Sequence, residues 1–205
     1  MSDYRDVNRA NWDERASAHA ASPDYGVDLF VSDPEHLSDV VRFDLPRLGD
    51  VAGLRGVHLQ CHIGTDTVSL ARLGARMTGL DFSGASVAEA RRLATLTHTD
   101  ADFVQGEVYD AVDLLGAEQF DLVFTGIGAL CWLPDIARWG RTVAALLKPG
   151  GRLFLREGHP MLWSLADPGE DRRLVVEHPY FELPDPVVWD EPGTYVETDV
   201  AFTST

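Results

Sequence analysis

Two rhythms alternate along this chain. Short, nearly continuous apolar runs at 56–62, 75–80, 101–105, 120–125 and 152–156 are separated by stretches whose apolar residues recur at three and four positions. The runs predict strands, and the run at 120–125 has the two-sided apolar character of a buried parallel strand. The intervening stretches predict helices. Residues 4–20 carry Trp12 as their one large anchor. Asp33-Pro34 supplies an N-cap and a first-turn proline for a helix bearing Leu37, Val40, Val41 and Leu45, which Pro46 ends. A helix over 66–73 stops at Gly74, and one over 83–96 has a possible capping box at Ser86-x-x-Glu89. Another starts at Pro134, carries Ile136, Trp139, Val143, Leu146 and Leu147 on one side, and ends at Lys148-Pro149-Gly150-Gly151.

Five strands alternating with helices predict an α/β fold, a doubly wound parallel sheet with right-handed crossovers. After His159 the pattern changes. Leu174-Val175-Val176 and Tyr195-Val196-Glu197 are extended stretches set among prolines and aromatics, which predict an antiparallel flap over the open edge of the site. The expected layout is a single domain: an N-terminal helical cap at 1–50, a ligand-binding core at 51–158 and a substrate flap at 159–205.

Composition narrows the function. With 17 basic and 33 acidic side chains the net charge is −16, a field that repels nucleic-acid phosphates and anionic lipid. No start resembling a signal peptide and no apolar run of membrane-spanning length is present, so a cytoplasmic protein is expected. Cys61 and Cys131 lie in apolar surroundings without Cys-x-x-Cys spacing and read as buried, reduced thiols. Lys148 is the only lysine; that removes a phosphate-loop lysine and a Tyr-x-x-x-Lys pair, and Lys148 itself reads as a helix C-terminal cation.

The chemistry concentrates at Val57-His58-Leu59-Gln60-Cys61-His62-Ile63-Gly64-Thr65-Asp66, followed at the end of the next strand by Asp81. Strand, tight turn, helix, strand and carboxylate is how an open parallel sheet holds a nucleoside: the turn brings backbone N–H groups and a helix N-terminus to the ligand, and the acid accepts from ribose hydroxyls. Asp81 also has a simpler reading as a helix N-terminal acid. His58, Gln60 and His62 would share one face of an extended strand, but at a rise of about 3.3 Å per residue His58 and His62 stand about 13 Å apart, too far to share one ion, so no metal is expected.

Together with Leu80-Asp81-Phe82-Ser83, Glu107-Val108, Phe120-Asp121-Leu122-Val123-Phe124 and Leu147-Lys148-Pro149-Gly150-Gly151, this first motif resembles the class I S-adenosylmethionine-dependent methyltransferases over most of residues 4–205. The resemblance implies a Rossmann-like sheet whose terminal edge strands are missing from this chain, which suggests a fragment or a homodimer. Where the family commonly shows an acid and three alternating glycines, this chain has His58, Gln60, His62 and Gly64. Gln60 and His62 are therefore expected either to point away from the ligand or to contact the amino-acid half of the cofactor. The string Leu-Gln-Cys-His-Ile-Gly-Thr-Asp-Thr resembles a subgroup that acts on small molecules.

The resemblance implies methyl transfer from S-adenosylmethionine to an oxygen, nitrogen or carbon nucleophile of a small molecule, with no nucleic acid and no membrane as partner. Gln60, Cys61 and Gly64 would surround the methionine moiety, Asp81 the ribose, Phe82, Glu107 and Val108 the adenine, and backbone near Thr125 and Gly126 the sulfonium side, with Trp12 near the cofactor and Ser83 among its contacts. His159, after the fifth strand, is the candidate base; its other reading is a packed loop residue. Trp132, Trp163 and Tyr180 read as core or flap packing rather than a substrate cage. A cofactor-binding protein without catalysis stays open, as does an NAD-dependent oxidoreductase, although Gly-x-Gly-x-x-Gly is absent.

Overall fold

The computed structural model describes residues 4–166, 173–181, 183, 194 and 196. The element order is α1 (Tyr4–Ala21), α2 (Val27–Ser32), α3 (Asp39–Leu48), β1 (Arg55–Leu59), α4 (Thr65–Arg72), β2 (Arg76–Asp81), α5 (Gly84–Leu96), β3 (Ala101–Gln105), α6 (Ala111–Leu115), β4 (Phe120–Thr125), α7 (Ile136–Leu146), β5 (Leu147–Leu155) and α8 (Pro160–Trp163). The strands form one parallel sheet in the order β3-β2-β1-β4-β5. The order reverses between β1 and β4, and the carboxyl edge at that switch point is where open α/β sheets hold ligands.

The strands and helices predicted up to residue 156 are all present, with corrections at their ends. Ser38, not Asp33, caps α3: its hydroxyl accepts from Val41 N–H. Pro46 lies inside that helix, which runs on to Leu48. The cap of α5 is Ser83, whose oxygen accepts from Ser86 N–H; Ser86 is buried within the first turn with its own hydroxyl unpartnered among the described residues. β5 starts at Leu147 and carries the Pro-Gly-Gly turn within it, past a register shift against β4. Lys148 is consequently not a helix-end cation: its Nζ pairs with Asp121 Oδ1 at 2.9 Å. α2 was not legible, because six residues carry less than two turns of pattern.

The core fills both faces of the sheet. Ile63, Val68, Val87, Leu93 and Phe103 pack with Phe30 under α1 and α5, while Leu59, Leu80, Val123, Trp139 and Leu146 pack under α7. α1 packs Ala16 and Ala20 against α5 and is also tied to its start by a carboxylate: Asp13 Oδ1 accepts from Ser83 Oγ at 2.6 Å and from Ala85 N–H at 3.1 Å. That contact brings α1 across the carboxyl edge of the sheet. Of the predicted flap, Val176 bridges antiparallel to Leu165; the second stretch, at 195–197, lies almost wholly outside the described residues. No helix among the described residues is long and apolar enough to cross a membrane.

Candidate functional site

β1 ends at Leu59, three residues earlier than its apolar run, because Gln60 and His62 both take left-handed backbone conformations, with φ of 58° and 50°. Neither residue is on a strand face, and the expected alternation with His58 is lost. Left-handed φ is glycine's territory, so each position carries roughly 1 kcal/mol or more of strain that other contacts must offset. Those contacts are visible. Gln60 Nε2 donates to the Ala129 carbonyl at 2.8 Å, and His62 N–H donates to Asp81 Oδ2 at 2.8 Å. The loop has the backbone of a glycine-rich turn, held there by side chains.

Gly64, at φ 82°, starts α4. A Cβ on it would come within 2.7 Å of Ala90 Cβ and 2.8 Å of Phe103 Cε1, so its missing side chain is used by α5 and β3 packing against the turn. Cys61 is buried, with its thiol pushed well up by burial, and is inert. Cys131 differs from expectation: it is exposed, because residues 130–132 form a single turn on the surface after β4.

Asp81 closes β2 with 7% of its surface exposed. Its Oδ1 accepts from Ser83 N–H at 2.9 Å and its Oδ2 from His62 N–H, which leaves one lone pair on each oxygen. Burial raises its pKa to about 6, against the two backbone N–H groups that favour the ionised form. Ser83 itself is fully buried, its hydroxyl spent on Asp13 and the cap of α5. Phe82 beside it is half-buried, with the Arg9 guanidinium 6.0 Å from its ring centre. Past β3, burial also raises Glu107, and its Oε2 is buried and unpartnered among the described residues, while Val108 sinks into the core.

Unfilled acceptors thus stand in sheet order on three neighbouring strand ends: Glu107 Oε2 after β3, Asp81 at the end of β2 and Gln60 Oε1 after β1, the last also buried without a partner among the described residues. Gln60 cannot exchange its amide ends, since a carbonyl oxygen would then face the Ala129 carbonyl. On the β4 side, Thr125 is fully buried with a hydroxyl unpartnered among the described residues, and a Cβ on Gly126 would lie 3.4 Å from Asp66 Oδ2. Burial raises Asp66 to about 6.

Aromatic rings enclose the β1 turn from the α1 side. Trp12 meets His62 at 5.1 Å and Trp132 at 5.4 Å between ring centres, and His62 lies 4.9 Å from His19 and 5.4 Å from Tyr25. His19 Nδ1 and His62 Nε2 are 3.2 Å apart, and His19 Nε2 is 2.6 Å from Thr194 Oγ1. Burial lowers His62 to about 3 and His19 to about 4, so both rings are neutral across the physiological range. His58 is separate: buried, lowered to about 3, with Nδ1 2.9 Å from Thr67 Oγ1. His19 was open to detection, because Trp12 and His19 are seven apart on one helical face. Asp13, Tyr25 and Glu157 left no such signal.

His159 is exposed and caps α8, its Nδ1 accepting from Met161 N–H at 3.2 Å. Trp132 belongs to the aromatic enclosure, whereas Trp163 and Tyr180, expected to be packed, are 56% and 46% exposed.

Known proteins that this chain resembles include methyltransferases. A family model described as a methyltransferase domain matches residues 57–153. A ubiquinone biosynthesis O-methyltransferase of Xanthomonas oryzae pv. oryzae is 39% identical over 127 residues, 60% of this chain and 51% of that protein, and one of Methylobacterium is 35% identical over 104 residues, 51% of this chain and 41% of that protein. The chain spans about half the length of the curated relatives it matches. Among solved structures, an S-adenosylmethionine-dependent methyltransferase of Mesorhizobium loti superposes with a TM-score of 0.56 at 31% identity, over 68% of this chain and 62% of that one. A Haemonchus contortus phosphoethanolamine N-methyltransferase, solved with phosphoethanolamine and S-adenosylhomocysteine, shares the fold with a TM-score of 0.58 at 19% identity, over 80% of this chain and 33% of that one.

Proposed function

We propose, from the match of residues 57–153 to a methyltransferase domain and the likeness to a solved S-adenosylmethionine-dependent methyltransferase, that this chain is a class I enzyme of that kind and transfers the methyl group of S-adenosylmethionine to a small molecule. The observation that carries the reading is the row of unfilled acceptors at Glu107, Asp81 and Gln60. The cofactor presents donors in a matching series: the adenine amine, the ribose hydroxyls and the α-ammonium group. Asp81 would take the ribose hydroxyls on its two remaining lone pairs, Glu107 the adenine amine, and Gln60 Oε1 the ammonium, with Cys61 and Gly64 contributing backbone. Phe82 and Val108 would flank the adenine, and the turn at Thr125 and Gly126 would lie on the sulfonium side.

S-adenosylmethionine supplies a methyl group already activated by the positive charge on sulfur. The protein's share is alignment and exclusion of water. Trp12, His62 and Trp132 supply dry walls, and aromatic faces favour a neighbouring positive charge. Exposed apolar side chains at Ile127, on the turn after β4, and at Met161, Leu162 and Trp163, on α8, suit a ring-bearing acceptor of low charge. The Xanthomonas relative is named for O-methylation, so a hydroxylated ring is the first acceptor class to test. We assign 1–50 as a cap, 51–158 as the cofactor core and 159–205 as the acceptor side, in a cytoplasmic protein whose net charge disfavours nucleic acid.

Calorimetric titration with S-adenosylmethionine, S-adenosylhomocysteine and NAD, followed by methyl transfer to a panel of phenols and catechols, tests the reading. Binding of the first two and not of NAD, with turnover on the panel, is the expected result. Binding of NAD alone, or of none, overturns it; binding without turnover on any acceptor would favour a cofactor-binding protein without catalysis.

A further inference from the structure

Glu157 follows β5 by two residues and has no place in the reaction as described so far. Its carboxylate nonetheless collects four backbone N–H groups: Oε1 accepts from Gly128 at 2.7 Å and Gly158 at 2.8 Å, and Oε2 from Ala129 and Leu130, each at 2.9 Å. Most of the turn after β4 is thereby wrapped around one side chain. Such charge-assisted bonds are roughly twice as strong as neutral ones.

One of the four has a further consequence. Leu130 N–H and the Ala129 carbonyl belong to the same peptide plane. On one side that plane donates to Glu157 Oε2; on the other its carbonyl accepts from Gln60 Nε2 at 2.8 Å. The plane's tilt is set by the carboxylate, and the tilt sets where Gln60 can put its amide. Hydrogen bonds in series also polarise one another, so a carboxylate at the head of the chain makes the Ala129 carbonyl a better acceptor and Gln60 Oε1 more negative. At the far end Gln60 Oε1 is buried and unpartnered among the described residues.

We propose that Glu157 is a positioning residue for the cofactor's amino-acid half: acting through the Ala129–Leu130 peptide and the Gln60 amide, it aims Gln60 Oε1 at the α-ammonium group. The inference rests on the cofactor assignment above and goes beyond it. It places a negative side chain on the β5 side of the sheet in control of a contact made after β1, and it explains how a glutamine serves where the family commonly has glycine. The left-handed backbone at Gln60 is held by the same bond that orients its amide.

The test separates this role from general support of the fold by using a ligand pair. S-adenosylhomocysteine carries the amino-acid half, and 5′-methylthioadenosine lacks it while retaining adenine, ribose and sulfur. Each is titrated calorimetrically into wild type and E157Q, whose amide keeps the size of the side chain but sets an NH2 against backbone N–H groups. The expected result is a loss of about tenfold in affinity for S-adenosylhomocysteine, as for one charge-assisted contact, with 5′-methylthioadenosine unchanged within about twofold. In a Q60L background the E157Q change should have no further effect on either ligand. Equal losses on both ligands, no loss on either, or the full loss persisting in Q60L would each overturn the proposal. Failure of wild type to bind either ligand would instead overturn the cofactor assignment. If E157Q melts below the assay temperature, E157D takes its place: the charge stays but stops one methylene short of Leu130 N–H, and the same selective loss is expected, with equal losses again counting against the role.

Discussion

The carboxylate of Asp81 reaches from the end of β2 to the backbone N–H of His62, 2.8 Å away, and so holds the β1 turn in its left-handed form while keeping lone pairs for a ligand. Burial raises its pKa to about 6 in the free protein. Hydroxyl donors favour the ionised carboxylate, so ligand binding lowers that pKa. The sign follows: affinity is complete above about pH 6 and falls as the pH drops below it. The dissociation constant for S-adenosylhomocysteine should rise by up to tenfold per pH unit between about pH 6 and pH 4, with proton release on binding in that window. Calorimetry in buffers of different ionisation enthalpy reads both. Asp81→Asn should bind at least about tenfold more weakly at pH 7.5 and lose the pH dependence; retention of the slope would assign the titration to another group.

At Gly64 the constraint is packing as much as ligand approach. Gly64→Ala sets a Cβ against Ala90 and Phe103 at distances no relaxed contact has, at a φ of 82° that alanine resists. The two effects together should cost about 2–4 kcal/mol. A urea titration should show a lower midpoint with an unchanged slope. An unshifted midpoint would mean that α5 can retreat from the turn.

How much of this was legible in advance differs by element. The five strands and the longer helices follow from apolar rhythm, since burial on both faces leaves little freedom of pattern in Phe120–Thr125, and α7 repeats cleanly at three and four residues. The positions of Asp81 at the end of β2 and Glu107 just past β3 were legible because the strand ends were. The conformation of the β1 turn was not. Nothing local in Gln60 or His62 announces left-handed backbone; it is imposed by Ala129 and Asp81, 69 and 19 residues away. The apolar run through His62 therefore overstated the strand. Helix caps failed for a related reason: Ser38 and Ser83 were each outcompeted on paper by a neighbour with equal propensity, and tertiary contacts with Ser69 and Asp13 decided the matter.

The docking of α1 rests heavily on Asp13. Replacing it with alanine removes the acceptor for Ser83 Oγ and Ala85 N–H and leaves a fully buried hydroxyl with one partner fewer, at about 1–3 kcal/mol. α1 carries Trp12, whose edge-on contacts with His62 and Trp132 line the site. Asp13→Ala should therefore lower the thermal midpoint and also raise tryptophan exposure, read as a red shift of emission and faster acrylamide quenching, which ligand addition partly reverses. An unchanged emission spectrum in a destabilised variant would show that Ala85 and Ser83 anchor α5 without governing α1.

His159 was singled out as a base because it follows β5 at the ligand edge, and its geometry argues for a different use. A neutral imidazole has one bare nitrogen, and here Nδ1 accepts from Met161 N–H, which puts the proton on Nε2. The lone pair a base needs is spent on the cap of α8. Asparagine caps a helix about as well and cannot act as a base at neutral pH. His159→Asn should keep kcat within about threefold of wild type and leave the shape of the pH-rate profile unchanged, whereas removal of a working general base costs about a hundredfold or more. His159→Ala, which removes the cap as well, should show its effect in stability and in KM for the acceptor and not in kcat. A hundredfold fall in kcat for the asparagine variant, with its cap intact, would return the base to His159 and require the Met161 bond to open during turnover.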